Sequence, residues 1–256
     1  MFVLTLIRNF IASIGRGSVF MGDILLCLLK GRVRWSEVFK QIYEQGVRSL
    51  VIVMLVSFAS GAVLAMQGVV MMERFGAKEF IAQLVALSLV RELSPVFTAL
   101  VFSGKSGAGM AAELGTMSVN SQIQATRTMG VDPMEFLIVP RFLACLVVLP
   151  ILVVVSMVVG IAGGYLVAVH EANIPSIYYI NQTITCIGFV DFFSGFVKVF
   201  FFALLIGWIS CYKGFFTSGG SLGVGRFTTQ TVAMCYVGVI VSNTVLTKII
   251  LTFWGH

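Results

Sequence analysis

The sequence is short of charge: only 11% of its 256 residues are Asp, Glu, Lys or Arg, against 58% hydrophobic, and the mean hydropathy is +1.00. A soluble globular domain has about a quarter of its residues charged, so this composition excludes one and points to a lipid bilayer as solvent. Histidine is nearly missing. The two present, His170 and His256, are far apart, and there is no HExxH, nucleophile elbow or spaced carboxylate set. Nothing therefore suggests a catalytic residue or a metal site. The five cysteines (Cys27, Cys145, Cys186, Cys211, Cys235) show no CxxC spacing, and four lie in apolar segments. They read as small buried hydrophobes, not as ligands or a disulfide framework. The net charge of +6 raises nucleic acid as a partner, but no basic patch interleaved with aromatic platforms supports it. Seven basic residues, Arg8, Arg16, Lys30, Arg32, Arg34, Lys40 and Arg48, instead precede the first long apolar run, as expected of a cytoplasmic N-terminus facing anionic lipid. The opening MFVLTLIRNFIASIG lacks a basic n-region and is followed by polar helix, so no cleavable signal is expected.

What is present is a series of apolar runs. The expected fold is all-α and polytopic, with an N-terminal cytoplasmic and interfacial segment (1–48) and a transmembrane domain (49–256). About five spans fit, over residues 50–72, 80–102, 142–169, 192–212 and 232–254. Ahead of them, WSEVFKQIYEQGVR (35–48) places Trp35, Val38, Phe39, Ile42 and Tyr43 at helical spacing opposite Glu37, Lys40, Gln41, Glu44 and Arg48. Such a helix is too polar to span; it lies in the interface or packs on a soluble partner. With the N-terminus cytoplasmic, Lys105, Arg127, Arg141, Lys213 and Arg226 fall inside, and the link between the third and fourth spans carries no Lys or Arg. The C-terminus is then outside. Gly160 and Gly164 form a GxxxG that serves close helix packing, either within the chain or between two copies.

The second span holds the most informative stretch, LSLVRELSPVFTALVFSGK (87–105). Its terminal GKS resembles the end of a phosphate-binding loop, but Ala99 stands where that loop needs glycine and LVFS is membrane-like, so nucleotide binding by this chain is rejected. A single charge at the centre of a spanning helix costs about 2.5 to 3.5 kcal/mol, so Arg91 and Glu92 must face protein or water. Helix neighbours diverge by about 100°, so each needs its own partner. Pro95 removes a backbone hydrogen bond there and is expected to kink the helix. Two readings stay open: interhelical salt bridges that fix packing, or a polar site that meets a charged head group, with the planar fork of Arg91 suited to phosphate. Beyond this span, residues 103–140 form the longest polar region. The helix in it carries Leu114, Met117 and Ile123 and ends near Gly130, with Pro133 beyond. It is either an ordinary solvated helix or a lever for a soluble motor.

These residues carry a resemblance. LVALSLVRELSP, AAELGTM, MGVDP followed by Pro140-Arg141, and SGGSLGVGRFTTQTV (218–232) resemble the MlaE family of ABC-transporter permeases, in the family's order and over about residues 43–252. The resemblance implies a homodimeric permease of the bacterial inner membrane that moves phospholipid between inner and outer membranes and maintains outer-membrane asymmetry. It further implies a cytoplasmic ABC ATPase that binds the ATP and Mg, so that this chain holds no cofactor and is no enzyme. A STAS-domain protein and a periplasmic MCE-domain hexamer complete the implied assembly. Carried over by motif, Arg91 and Glu92 would lie in the lipid cavity, and Glu113, Met117, Arg127 and Asp132 would couple to the ATPase. SQIQAT (121–126) departs from the family's EQIDAL, and Asn243 stands where Asp is frequent. Relatives in other lineages are linked to sterol or fatty-acid import. Outside the family, a secondary transporter would show paired inverted repeats and broken helices in both halves, whereas a membrane scaffold would fit the 103–140 region equally well.

Overall fold

Five helices in the computed structural model are long and apolar enough to cross a membrane, and the chain is an all-α, multi-pass membrane protein. The structure describes residues 2–31 and 33–254, with side chains for 15–31 and 33–253. The side chains of Arg8, Arg32, Trp254 and His256 lie outside the described residues. No strand occurs among the described residues. In chain order the helices are α1 (Phe2–Leu29), α2 (Trp35–Arg74), α3 (Lys78–Val119), α4 (Gln122–Thr128), α5 (Met134–His170), α6 (Ser176–Cys186), α7 (Phe189–Phe215) and α8 (Gly220–Trp254). The spanning helices are α2, α3, α5, α7 and α8.

The amphipathic segment 35–48 and the first span are one helix. At 1.5 Å per residue, the 40 residues of α2 reach about 60 Å, roughly twice the hydrocarbon thickness, so its first turns extend beyond the lipid core. Their polarity is arranged unlike that of a soluble helix. Trp35, Phe39 and Tyr43 point outward, while Gln41, Gln45, Ser49, Ser57 and Gly61 are buried. Small and hydrogen-bonded residues let helices approach where apolar burial gives no drive. Ser57 Oγ meets Ser156 Oγ at 2.6 Å. A Cβ at Gly61 would overlap the Gly160 carbonyl, and one at Gly163 would overlap that of Phe58. The GxxxG of α5 is thus used inside the chain: Gly160 packs on Ser57 and Leu89, and Gly164 on Val85 and Tyr179.

The region expected to be the longest polar stretch begins as a continuation of the second span. α3 runs through Ser103, Ser106 and Gly107 to Val119, and those three residues are buried. They are polar but small, which is what close packing needs. Gly107 faces Ser210 and Ile206, and Gly115 faces Thr217. Ser106 bonds both Ser49 Oγ (2.8 Å) and the Gln45 carbonyl (3.1 Å). Polarity proper starts only after Val119, where Ser121 takes a left-handed φ of 57° and separates α3 from α4.

α3 accommodates Pro95 through a change of winding. Residues Leu89–Leu93 are wound as a π-helix immediately before the proline, and Ser103–Gly107 repeat that winding one span-half later. π-type turns leave backbone carbonyls without their usual intrahelical donor and occur often at functional sites. Pro95 has no N–H to offer the carbonyl of Arg91 four residues back. That carbonyl therefore needs a donor from elsewhere.

Candidate functional site

The donor is Lys198 on α7. Its ammonium has three N–H groups and three acceptors: the Arg91 carbonyl at 3.1 Å, Glu92 Oε1 at 2.6 Å and Thr247 Oγ1 at 2.8 Å. Only 2% of the Lys198 side chain is exposed. A charge removed from solvent that far is tolerable only when it is paired and fully hydrogen-bonded, which it is. Glu92 is correspondingly occupied. Its second oxygen accepts from Asn243 Nδ2 at 3.1 Å, and Thr247 Oγ1 approaches both oxygens at 3.1 and 3.3 Å.

Arg91 has a separate partner. Its Nε donates to Asp191 Oδ1 at 2.6 Å and its Nη2 pairs with the same oxygen. Asp191 stands in the first turn of α7, where its other oxygen accepts the Gly188 backbone N–H at 3.0 Å, the half of a capping box that a glycine N-cap allows. One carboxylate thus caps a helix and holds an arginine. The Arg91 side chain nevertheless remains 49% exposed. Both pairs depend on a close approach of α7 to α3. A Cβ at Gly195 would stand 2.6 Å from the Val90 carbonyl oxygen, so only glycine allows the contact.

The expectation that Arg91 and Glu92 each find their own partner matches this geometry. Hydropathy does not name those partners. Lys198 lies inside a span, and an intramembrane lysine alone signals a site; Asp191 is the last residue of the link before the fourth expected span. The charges also sit away from the middle of α7, with Asp191 in its first turn and Lys198 about two turns further.

Beside these pairs a cleft of ≈ 510 Å³ opens on α8, lined by Glu92, Asn243, Thr244, Thr247, Lys248 and Thr252 among others. α8 packs on α7 and α3 through Cys235, Val239 and Leu246, and elsewhere it is open, with Val237, Val241 and Val245 exposed. Thr244 and Thr252 satisfy their hydroxyls on carbonyls one turn back, but the Asn243 amide and the Lys248 ammonium on this side are costly against acyl chains. The cleft can accept a polar head group, a partner surface or both.

The other four expected site residues lie far away. From Glu92 to Glu113 along α3 is on the order of 30 Å. Glu113 pairs with Arg141 at 3.2 Å, and Arg141 Nη1 also donates to the Leu137 carbonyl at 2.9 Å. Met117 is half-buried against the cluster of Phe20, Leu114 and Phe142. Ile123 anchors α4 in that same cluster, leaving Gln124 and Arg127 exposed. Asp132 is exposed and accepts the Met134 N–H at 2.9 Å, fixing the entry to α5. Glu113, Met117, Arg127 and Asp132 thus share one end of the molecule, without direct bonds among them in the described residues. No cluster of His, Cys, Asp or Glu fit to hold a metal occurs among the described residues.

Comparison with known proteins gives a consistent picture. The family model described as Permease MlaE matches residues 38–249. The chain is 37% identical over 242 residues to a probable ABC transporter permease protein of Rickettsia typhi, covering 94% of this chain and 93% of that one. It is 34% identical over 242 residues to the intermembrane phospholipid transport system permease protein MlaE of Haemophilus influenzae, with the same coverage. It is also 34% identical over 230 residues to the chloroplastic protein TRIGALACTOSYLDIACYLGLYCEROL 1 of Arabidopsis thaliana, covering 90% of this chain and 66% of the plant protein.

Proposed function

The chain belongs to the MlaE permease family, and from that premise we propose that it is the membrane subunit of an ATP-driven transporter moving phospholipid between the inner and outer membranes, so maintaining outer-membrane lipid asymmetry. The observation that carries the reading is the cleft beside Glu92 on the open side of a spanning helix, where carboxylate, amide, hydroxyl and ammonium groups meet an apolar wall that includes Leu251. Two copies of the chain meeting along α8 would enclose it, sheltering its hydroxyls and Lys248 from acyl chains. Arg91 and Glu92 then belong to the wall of a lipid cavity. Arg91 keeps guanidinium surface available for phosphate, and Glu92 holds the wall together through Lys198.

The opposite end meets the motor. Glu113, Met117, Arg127 and Asp132 surround the exposed α4, and a cytoplasmic ABC ATPase seated there would bind the ATP and Mg. This chain itself has no catalytic role and holds no cofactor. α3 joins the two ends as one helical path, so a push on α4 has a stiff element through which to reach the cleft. Lys105, Arg127, Arg141, Lys213 and Arg226 support a cytoplasmic placement of that end. The N-terminus is then cytoplasmic, the C-terminus periplasmic, and the location the bacterial inner membrane. A STAS-domain protein on the ATPase and a periplasmic MCE-domain hexamer complete the assembly.

The test is gentle extraction of the chain from its native membrane with mass spectrometry of everything that accompanies it. Recovery of an ATPase, an MCE-domain protein and stoichiometric phospholipid is the expected result. A lone chain without ATPase or lipid would overturn the reading.

A further inference from the structure

The occupancy of every charge around the cleft says which head group it accepts. Among the described residues near it there are two carboxylates, and each already faces a cation of the chain. Glu92 Oε1 accepts from Lys198 and Thr247, and its Oε2 accepts from Asn243. Asp191 Oδ1 is held by Arg91 and its Oδ2 by the Gly188 N–H. The cations are arranged differently. Lys198 is saturated and buried, but Lys248 is exposed, lines the cleft and takes part in no ion pair among the described residues. Setting Arg91, Lys198 and Lys248 against Asp191 and Glu92 leaves one positive charge in excess, and it stands on Lys248. The rest of the lining that could touch a head group consists of neutral amide and hydroxyl groups from Asn243, Thr244, Thr247 and Thr252.

We propose that this cleft selects phospholipids whose head group is net negative and lacks an amine, of the phosphatidylglycerol kind, and that Lys248 is the residue that sets this preference. The inference rests on the transporter reading given above. A phosphodiester finds the unpaired ammonium of Lys248; the hydroxyls of Thr244 and Thr252 donate to the Ile240 and Lys248 carbonyls and that of Thr247 to Glu92, so what they keep for a polyol is lone pairs that accept. An ethanolamine head group gains the same phosphate contact but brings an ammonium that meets only carboxylates already paired with a cation. Its amine must then remain in water or displace Lys198 or Arg91 from a made ion pair. The discrimination comes from unmet charge on the ligand, a more selective device than added attraction.

The experiment uses the purified complex, equilibrated with mixed micelles of phosphatidylglycerol and phosphatidylethanolamine in equal amounts, with the retained lipid quantified by mass spectrometry. One partly screened charge contact corresponds to about a fivefold enrichment of phosphatidylglycerol. Lys248→Gln should bring the retained ratio to that of the micelle, and Lys248→Arg should keep the enrichment. Asn243→Asp, which adds a carboxylate beside Glu92 and cancels the excess charge, should move the ratio toward phosphatidylethanolamine. Retention at the micelle ratio by the unaltered protein, or an enrichment that survives Lys248→Gln, would overturn the proposal while leaving the transporter reading standing. An assembled complex that retains neither lipid would sink both.

Discussion

Arg91 and Glu92 are adjacent in sequence, equally charged in magnitude and carried by the same π-wound turn, yet the structure treats them differently. Glu92 faces a lysine that is almost wholly buried and whose every N–H is taken, one of them by the carbonyl that Pro95 leaves open. Arg91 faces an aspartate at the mouth of α7 and keeps half its side chain exposed. The first pair is a structural joint among α3, α7 and α8. The second is a half-open contact in which a guanidinium is aimed without being used up. Two charges of similar cost to the membrane can thus serve opposite purposes, and what separates them is the number of unmet hydrogen bonds rather than the residue type.

The sharpest way to break this contrast is to remove Lys198. Lys198→Met should destabilise the protein by about 3 kcal/mol, the low end for breaking a buried pair because Glu92 retains some exposure. It would be read as a lowered unfolding temperature in detergent. Adding Glu92→Gln to the same chain should recover much of the loss by removing the stranded carboxylate; no recovery would mean that Lys198 acts through the Arg91 carbonyl alone. Next comes Gly195→Ala, which pushes α7 off the Val90 carbonyl and loosens both pairs together. A loss of about 2 kcal/mol is expected from overpacking at a backbone contact. Disulfide trapping between α3 and α7 would register the shift, and unchanged trapping together with unchanged stability would show that the helices have slack there.

Much of this architecture is legible from the chain. Span number and the anomaly at 91–95 follow from hydropathy and from the cost of charge in lipid, which do not depend on knowing neighbours. What is not legible comes from packing. Residues 103–119 look polar because serine and glycine score as loop-like, whereas between helices in a membrane they are contact residues. Segment 35–48 looks like a separate surface helix because its polar face stops at Arg48, where the apolar run begins; in fact α2 runs through without a boundary. Lys198 is legible as a charge inside the fourth expected span. Its pairing with Glu92 is 106 residues distant in sequence and cannot be inferred from local pattern.

The half-open pair gives the smaller effects. Asp191→Asn should cost about 1 kcal/mol, since the amide oxygen can still cap α7 while the charge opposite Arg91 is lost. Arg91→Ala is the decisive comparison with Lys198→Met. Its stability cost should be about 1 to 2 kcal/mol, below that of Lys198→Met because Asp191, though only 10% exposed, keeps its cap. Its effect on lipid should be the larger one: a several-fold loss of retained phospholipid from a complex that still assembles and elutes as the unaltered protein does. If Arg91→Ala instead destabilises the fold as strongly as Lys198→Met and leaves lipid retention per folded complex unchanged, the two pairs are equivalent joints. The exposed half of Arg91 would then carry no function. Loss of lipid with retention of fold assigns Arg91 to the cargo and Glu92 with Lys198 to the frame that holds it in position.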